Sequence, residues 1–161
     1  MPDFKIRLIQ PADNAALAII IRNTLEEFGA NHPGTVYYDE STDHLYDVFT
    51  TPGSVYHILE INGEVAGGAG IYPTDGLPAD TCELVKMYIG KNGRGHGFGK
   101  ILMEHCLKAA SEKGFKKVYL ETMPELTIAV PMYQKFGFRN LTGPIGNSGH
   151  HGCGIWMIKE L

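Results

Sequence analysis

An alternating run of glycines constrains the fold of this chain more than any other feature of its sequence. Residues 93–100 read Gly-Arg-Gly-His-Gly-Phe-Gly-Lys, between a segment rich in strand-forming residues at 81–89 and a helical pattern that begins at Phe98. Glycine tolerates positive φ and lets the backbone approach a ligand closely. A helix that starts here would point free N–H groups and its positive dipole end into the loop. The pattern therefore predicts a site for a phosphate-bearing ligand.

Two common phosphate-binding loops do not fit the spacing of this glycine run. A Walker A loop requires Ser or Thr after its Lys, whereas Ile101 follows Lys100, and Arg94 stands where the first glycine belongs. A dinucleotide-binding GxGxxG pattern would end on Phe98 or on Lys100 instead of glycine. A turn with a purely structural role is the remaining alternative to a ligand site.

The rest of the 161-residue chain has the pattern of one α/β domain, which we expect to span residues 1–161. An Asn-Gly pair at 62–63 predicts a hairpin, and the N-terminal half is expected to be largely antiparallel. Helices are predicted to begin near residues 11, 41, 98 and 125, and to end before Gly29, Pro52, Gly114 and Gly137. Strands are predicted at 4–8, 54–61, 64–72, 81–89, 117–122, 138–141 and 154–159.

Composition excludes several classes of protein. The formal net charge of −4 argues against a nucleic-acid partner, which would need a basic surface. No run of about 18 apolar residues predicts a membrane span, and the N-terminus lacks the pattern of a signal peptide. The three cysteines are widely spaced without a CxxC pair, so neither a disulfide framework nor a metal site is expected. A cytoplasmic location is the simplest expectation.

Two motifs in this chain resemble those of the GNAT superfamily, the acetyl-CoA-dependent N-acetyltransferases. The family signature is Gln or Arg, two residues, Gly, one residue, then Gly or Ala, and residues 94–99 read Arg-Gly-His-Gly-Phe-Gly. Residues 129–138 read Ala-Val-Pro-Met-Tyr-Gln-Lys-Phe-Gly-Phe and are similar to the family's Ala-x-x-x-Tyr…Gly-Phe segment. The resemblance is specific because both motifs occur in the right order with a strand of suitable length between them.

This resemblance implies an α+β fold, a mixed but mostly antiparallel twisted sheet flanked by helices and split between strands 81–89 and 117–122. The pantetheine arm of acetyl-CoA would enter the split beside the backbone of Met87 and Ile89. Its pyrophosphate would bind the N–H groups of residues 94–100. The expected cofactor-binding residues are Met87, Tyr88, Ile89, Arg94, Gly95, His96, Gly97, Phe98, Gly99 and Lys100.

Glu83 is the candidate general base. A lysine-type amine lies over three pH units from neutrality at pH 7, about 4–5 kcal/mol of deprotonation, so a base is useful to the reaction. Glu83 precedes Arg94 by eleven residues, the place where some family members carry a base. Strand alternation predicts one face for Glu83, Val85, Met87 and Ile89. The alternative is a solvated glutamate at the end of a strand.

Tyr133 is the candidate general acid that would assist departure of the thiolate. A phenol with a pKa of about 10 stays protonated at pH 7 and can donate a hydrogen bond. The alternative is a tyrosine packed in the core. The sequence departs from the family at Leu126, where the related proteins often carry Asn, so a polar contact to CoA is in question there.

The resemblance implies direct transfer of an acetyl group to the primary amine of a small molecule or peptide, in a ternary complex. Transfer of another acyl group or to a protein amine, and a CoA-binding sensor domain without turnover, are the competing readings. Residues 150–153 are expected to form a solvated loop, with a substrate-contacting loop as the alternative. Asp39, Glu40 and Asp43 form either an acidic lip for a cationic acceptor or a solvated charged loop, and His105 is expected in the core. The sequence leaves a homodimer open.

Overall fold

The computed structural model describes residues 2–126, 129–150 and 152–161, and these build one seven-stranded sheet with helices on both faces. The strands are β1 (Phe4–Leu8), β2 (Val55–Ile61), β3 (Glu64–Tyr72), β4 (Thr81–Ile89), β5 (Lys117–Thr122), β6 (Arg139–Leu141) and β7 (Ile155–Glu160). The helices are α1 (Asn14–Glu27), α2 (Leu45–Val48), α3 (Phe98–Glu112) and α4 (Ala129–Lys135). The predicted order of helices and strands is confirmed.

Helix boundaries differ from the expectation at three places. The residues Pro11–Asp13 form a 3-10 turn ahead of α1, and Glu40–Asp43 form another ahead of α2. Each segment forms a short 3-10 turn where the sequence predicts the start of an α-helix. As a result, α2 is only one turn long. The last helix was predicted to begin at residue 125, but Glu125 and Leu126 are not helical; residues 127–128 lie outside the described part of the chain, and α4 is described from Ala129.

The strand order is β1-β2-β3-β4-β5-β7-β6, and β4 and β5 are its parallel neighbours. These two strands pair only at their beginnings, from Thr81 opposite Lys117 to Glu83 opposite Tyr119. The rest of β4 keeps its partner β3, whereas β5 continues along β7. The sheet therefore opens into a V between β4 and β5, and the predicted split is confirmed.

A β-bulge in β4 changes which side chains share a face. Lys86 has a φ of +54°, and the register against β3 shifts between Gly70, opposite Val85, and Gly68, opposite Tyr88. Two residues of β4 thus oppose one residue of β3 in this stretch. The regular alternation assumed from the sequence therefore ends at Lys86.

The prediction that Met87 and Ile89 share a face with Glu83 is wrong for this reason. Beyond the bulge, Met87 and Ile89 pack with Leu84 in the core beneath α3. Val85 and Tyr88 pack on the opposite face, in the core beneath α1. The extra residue reverses the alternation, so the face of Met87 is now turned toward the helix that follows the glycine loop.

The two faces of the sheet have separate apolar cores. Leu17, Ile21 and Leu25 of α1 are fully buried on one face, and Leu102 and Cys106 of α3 are fully buried on the other. His105 was expected in the core of α3 but is exposed, because it lies at the flank of the helix, where its ring is 5.3 Å from that of His57 on β2.

Candidate active site

Two cavities meet at the open end of the V. The first, the loop cavity, has a volume of about 510 Å³ and is lined by the end of β4, the glycine loop, α3 and α4. The second, the split cavity, has a volume of about 50 Å³ and lies where β4 and β5 diverge. Both cavities are lined by Met87, Tyr88, Leu126 and Tyr133. A group held at this junction would be reachable from both sides.

The glycine loop ends on the first turn of α3. Gly97 is the N-cap residue with a φ of +79°, a conformation that favours glycine. A Cβ atom at Gly95 or Gly97 would have no described atom within 4 Å, so the space in front of the helix is open. Among the described residues no side chain caps α3, which leaves its first N–H groups available to an anion.

The edge of β4 that faces the V carries free backbone groups. The N–H of Gly90 donates to the carbonyl of Ala66 in β3 at 2.8 Å, and alternate residues of an antiparallel strand direct their N–H and C=O groups to opposite sides. Met87 and Ile89 therefore direct theirs away from β3, toward the V. Since Nε of Arg94 donates to the Ile89 carbonyl at 3.0 Å, the groups left without a partner among the described residues are both of Met87 and the N–H of Ile89.

All but one of the predicted cofactor-binding residues line the loop cavity. The exception is His96, which lines a separate cavity of about 710 Å³ behind the loop. Phe98 is 1% exposed, so the cavity wall there depends mainly on its backbone. Lys100 is exposed and lines the cavity from the first turn of α3.

Arg94 contributes less positive charge to the loop than the sequence suggests. Its Nη1 forms an ion pair of 2.5 Å with Glu27 of α1, and its guanidinium carbon lies 5.2 Å from the centre of the Phe28 ring. These contacts and the hydrogen bond to Ile89 tie the glycine loop to α1 and β4. The arginine thus positions the loop, and its charge is already neutralised by a carboxylate.

Glu83 lies at the base of the split cavity and is 3% exposed. The hydroxyl of Thr74 donates a hydrogen bond of 2.6 Å to its Oε1. Burial raises the pKa of Glu83 to about 7, with the hydrogen bond from Thr74 acting in the opposite direction and Glu121 adding to the rise. Glu83 is therefore buried and is not a solvated glutamate at the end of a strand. A carboxyl group with this pKa can accept a proton near neutral pH.

Tyr133 on α4 is both packed in the core and present at the junction. Its side chain is 6% exposed, and its ring makes an edge contact of 6.0 Å with Phe138. It also lines both cavities. Burial raises the pKa of its hydroxyl above the ordinary range, so the group stays protonated and can donate a hydrogen bond, but full proton transfer from it is costly.

Polar groups on the far side of the split cavity come from distant parts of the sequence. His150 is hydrogen-bonded to Asp39 through Nε2 and Oδ2 at 2.6 Å, which joins the loop at 142–153 to the loop at 28–44. Burial is the largest single influence on the pKa of Asp39 and raises it, but the hydrogen bond with His150 and the Coulombic interactions with His150 and Lys86 together outweigh burial, so the pKa lies below its usual value. Asp43, by contrast, pairs with Arg22 at 2.6 Å. His151 lies outside the described residues.

Sequence reasoning missed two contributors to this cavity: Lys86, which lines it because of the bulge, and Glu121, which lines it from β5. Cys153 also lines it, from the end of the 150–153 segment that the sequence suggested as a substrate contact. The hydroxyls of Tyr119 and Ser148 donate to the carboxylate of Glu121. The signal in the sequence for an irregularity beside β4 is the set of glycines in β3, which are unusual within a strand.

Within the described ranges, no three His, Cys, Asp or Glu side chains lie close enough together to hold a metal ion. A search of the same part of the chain finds no helix with the length and apolar character needed to cross a membrane.

Comparisons with known proteins agree with this architecture. The acetyltransferase (GNAT) family matches residues 20–138. An uncharacterized N-acetyltransferase of Escherichia coli strain K12, YjgM, is 39% identical over 157 residues, which cover 97% of this chain and 94% of that protein. Human N-acetyltransferase 8B is 28% identical over 119 residues, or 70% of this chain and 52% of that protein.

Solved structures share the fold at low sequence identity. A GNAT-family acetyltransferase from Staphylococcus aureus Mu50 has a TM-score of 0.87 at 17% identity and covers 98% of this chain and 99% of its own. The PaiA N-acetyltransferase from Thermoplasma acidophilum, in complex with coenzyme A, has a TM-score of 0.77 at 16% identity, with 99% of each chain covered. The fold and these relatives define an acyltransferase. The chain belongs to the GNAT family of acetyltransferases.

Proposed function

We propose that this protein transfers an acetyl group from acetyl-CoA to a primary amine by direct attack in a ternary complex. The observation that carries the proposal is the position of Glu83, a buried carboxyl group with a pKa of about 7, in the smaller of two cavities that meet at the opening of the sheet. The amine would occupy the split cavity and acetyl-CoA the loop cavity, with the thioester at their junction.

The residues of the loop cavity suit coenzyme A. The open N-terminus of α3 and the glycines before it offer N–H donors to the pyrophosphate. The unpaired edge of β4, at Met87 and Ile89, offers backbone groups to the amides of pantetheine in the manner of an added strand. Leu126 supplies only apolar contact at the place where the related proteins often carry Asn. The complex of the Thermoplasma acidophilum relative with coenzyme A supports the same ligand here.

In the proposed reaction the amine nitrogen attacks the thioester carbonyl carbon, and the bond between that carbon and sulfur breaks. Glu83 takes the proton that the amine loses, directly or through water. The N–H of Met87 faces the V and would donate to the thioester oxygen as negative charge develops on it. The hydroxyl of Tyr133 would donate a hydrogen bond to the departing thiolate, whose pKa lies near 8.5, below that of the buried phenol.

No acetyl-cysteine intermediate is needed, and the cysteines are poorly suited to form one. Burial raises the pKa of Cys82 and of Cys153 to about 12, and that of Cys106 further still. Thiolates are the nucleophilic form, and these thiols stay protonated at neutral pH. The three cysteines are free, which agrees with a cytoplasmic protein. One sheet spans the chain, and we take residues 1–161 as a single domain.

The test is a thiol-release assay with acetyl-CoA and a panel of small amines, amino acids and peptides. Release of CoA with matching formation of an N-acetyl product supports the proposal, and repeating the assay with longer acyl-CoA thioesters defines the acyl group. Tight binding of acetyl-CoA without turnover of any amine would instead favour a sensor domain. Acetylation confined to peptides would assign a protein amine as acceptor.

A further inference from the structure

Lys86 occupies a backbone conformation that glycine would adopt at lower cost. It and Asn62 are the two non-glycine residues with positive φ in the described part of the chain. Asn62 belongs to the tight Asn-Gly turn, where this conformation is ordinary. Lys86 lies inside a strand, where the left-handed region is unfavourable for a residue that carries a side chain. Strain kept at such a position points to a use for the side chain.

The surroundings of Lys86 place its ammonium group among the polar groups of the split cavity. The residue lines that cavity. Its charge influences, and is influenced by, the carboxylates of Asp39 and Glu83. Burial lowers the pKa of Lys86 even so, because these charges do not offset the loss of water around the ammonium group.

Nearby carboxylates are already hydrogen-bonded to other groups. Asp39 is bonded to His150, Glu83 accepts from Thr74, and Glu121 accepts from two hydroxyls. Among the described residues, no carboxylate oxygen lies within 4.0 Å of the Lys86 ammonium group.

Three arginines of this fold are each paired with a carboxylate. Arg7, Arg22 and Arg94 each form an ion pair with a carboxylate at 2.8 Å or less. Lys86 is half-buried like these arginines, but it lines a cavity and forms no such ion pair with a carboxylate of the described residues. An anion brought in by a ligand would supply the missing partner.

We infer that the amine acceptor carries a carboxylate, bound by the ammonium group of Lys86, while its amine faces Glu83. This inference rests on the proposed function and names the class of acceptor for that reaction. Glu83 and Lys86 are three residues apart in one strand, so the two ends of the acceptor are held within a short span. A compact amino acid carries both charges, and its ammonium and carboxylate complement Glu83 and Lys86 respectively.

The experiment compares acceptors that differ only in charge. Glycine, β-alanine, γ-aminobutyrate, δ-aminovalerate and a set of L-amino acids are each assayed beside their primary amides, and kcat/KM is expressed as the ratio of acid to amide. Wild-type enzyme should prefer at least one acid. Lys86→Met should lower that ratio by about tenfold or more, as expected for loss of one charge-assisted contact. The difference in amine basicity within each pair is the same for both enzymes, so it cancels when the acid-to-amide ratio of Lys86→Met is compared with that of wild type.

Two further variants separate charge from folding. Lys86→Arg retains a cation and should keep much of the preference, and Lys113→Met removes an exposed lysine beyond the end of α3 and should change nothing. An unchanged acid-to-amide ratio in a folded Lys86→Met enzyme that still turns over amines would overturn the inference and leave the proposed function intact.

Binding provides the readout if no amine is acetylated, an outcome that would itself count against the proposed function. Calorimetry of the CoA-loaded protein should then show that at least one acid binds more tightly than its amide, and that this acid binds less tightly to Lys86→Met. Equal dissociation constants for every pair, or no binding of any acid, would overturn the inference.

Discussion

The hydroxyl of Tyr56 on β2 donates a hydrogen bond of 2.7 Å to the carbonyl oxygen of Lys86, the residue at the bulge of β4. Tyr56 reaches across β3 to do so, and it is 1% exposed. A Cβ atom at Gly68 would lie 2.4 Å from its ring, and one at Gly70 would lie 2.7 Å from it. The glycines of β3 therefore make room for the tyrosine that fixes the bulge.

Replacing Tyr56 by Phe should destabilise the protein and slow catalysis. The buried Lys86 carbonyl would lose its donor, at about 1–3 kcal/mol in the free energy of unfolding. The Met87 N–H that follows would be less well held, so kcat should fall more than the affinity for CoA. Urea unfolding and steady-state kinetics measure the two effects. Tyr72→Phe is the control, since the hydroxyl of Tyr72 contacts Thr51, at 3.3 Å, and not β4. A fall in stability with unchanged kcat in Tyr56→Phe would limit Tyr56 to a structural role.

Replacing Gly97 by Leu should abolish binding of CoA while the fold survives. Gly114, at the other end of α3, has a similar φ of +90°, and a Cβ there would also have no described atom within 4 Å. Gly114→Leu is therefore a matched control, with the same backbone strain of roughly 1–2 kcal/mol. Both variants should lose similar stability, but only Gly97→Leu should lose CoA affinity in calorimetry. Undiminished affinity in a folded Gly97→Leu protein would place the pyrophosphate elsewhere.

Replacing Tyr133 by Phe keeps the ring and its contact with Phe138 but removes the hydroxyl. If the hydroxyl assists departure of the thiolate, kcat should fall on the order of 10²–10⁴-fold with CoA binding nearly unchanged. Rates should be compared under conditions where the chemical step is rate-limiting. Wild-type turnover in this variant would assign Tyr133 to packing alone.

The sequence was sufficient to predict most of the fold because each element is marked locally. The glycine loop, the Asn-Gly turn at 62–63 and the glycines after α1 and α3 define where strands and helices end. The order of elements and the split between β4 and β5 are confirmed. The roles of Glu83 and Tyr133 stay predictions, although the structure brings Glu83 to the split cavity and Tyr133 to the junction of the two cavities.

Features that depend on contacts between distant segments could not be predicted. The bulge at Lys86 depends on a tyrosine thirty residues earlier in the chain and on the glycines of β3 between them. Periodicity within β4 carries no sign of it, so the face of Met87 and Ile89 was assigned wrongly. The pairing of Asp39 with His150 likewise joins loops 111 residues apart. The ion pair that neutralises Arg94 likewise involves a residue on a distant element, Glu27 of α1.

Burial of Glu83 should make stability depend on pH. Its folded pKa of about 7 lies above the ordinary 4.5, so folding favours the protonated form, and its contribution to stability is lost as the pH rises through 7. Glu83→Gln cannot ionise. Its free energy of unfolding relative to wild type should therefore increase by roughly 3 kcal/mol at most between about pH 5 and about pH 8. A difference that does not change with pH would mean that Glu83 titrates normally.

The ratio of kcat/KM between wild type and Glu83→Gln, measured with an alkyl amine from about pH 6.5 to 9.5, tests the central claim most directly. If Glu83 takes the proton from the bound amine, the ratio should be large once Glu83 is ionised near pH 7, and should shrink at high pH, where free amine is abundant. A ratio near one throughout would contradict the account. A large ratio that is independent of pH would contradict the role of base and leave Glu83 only a positioning role.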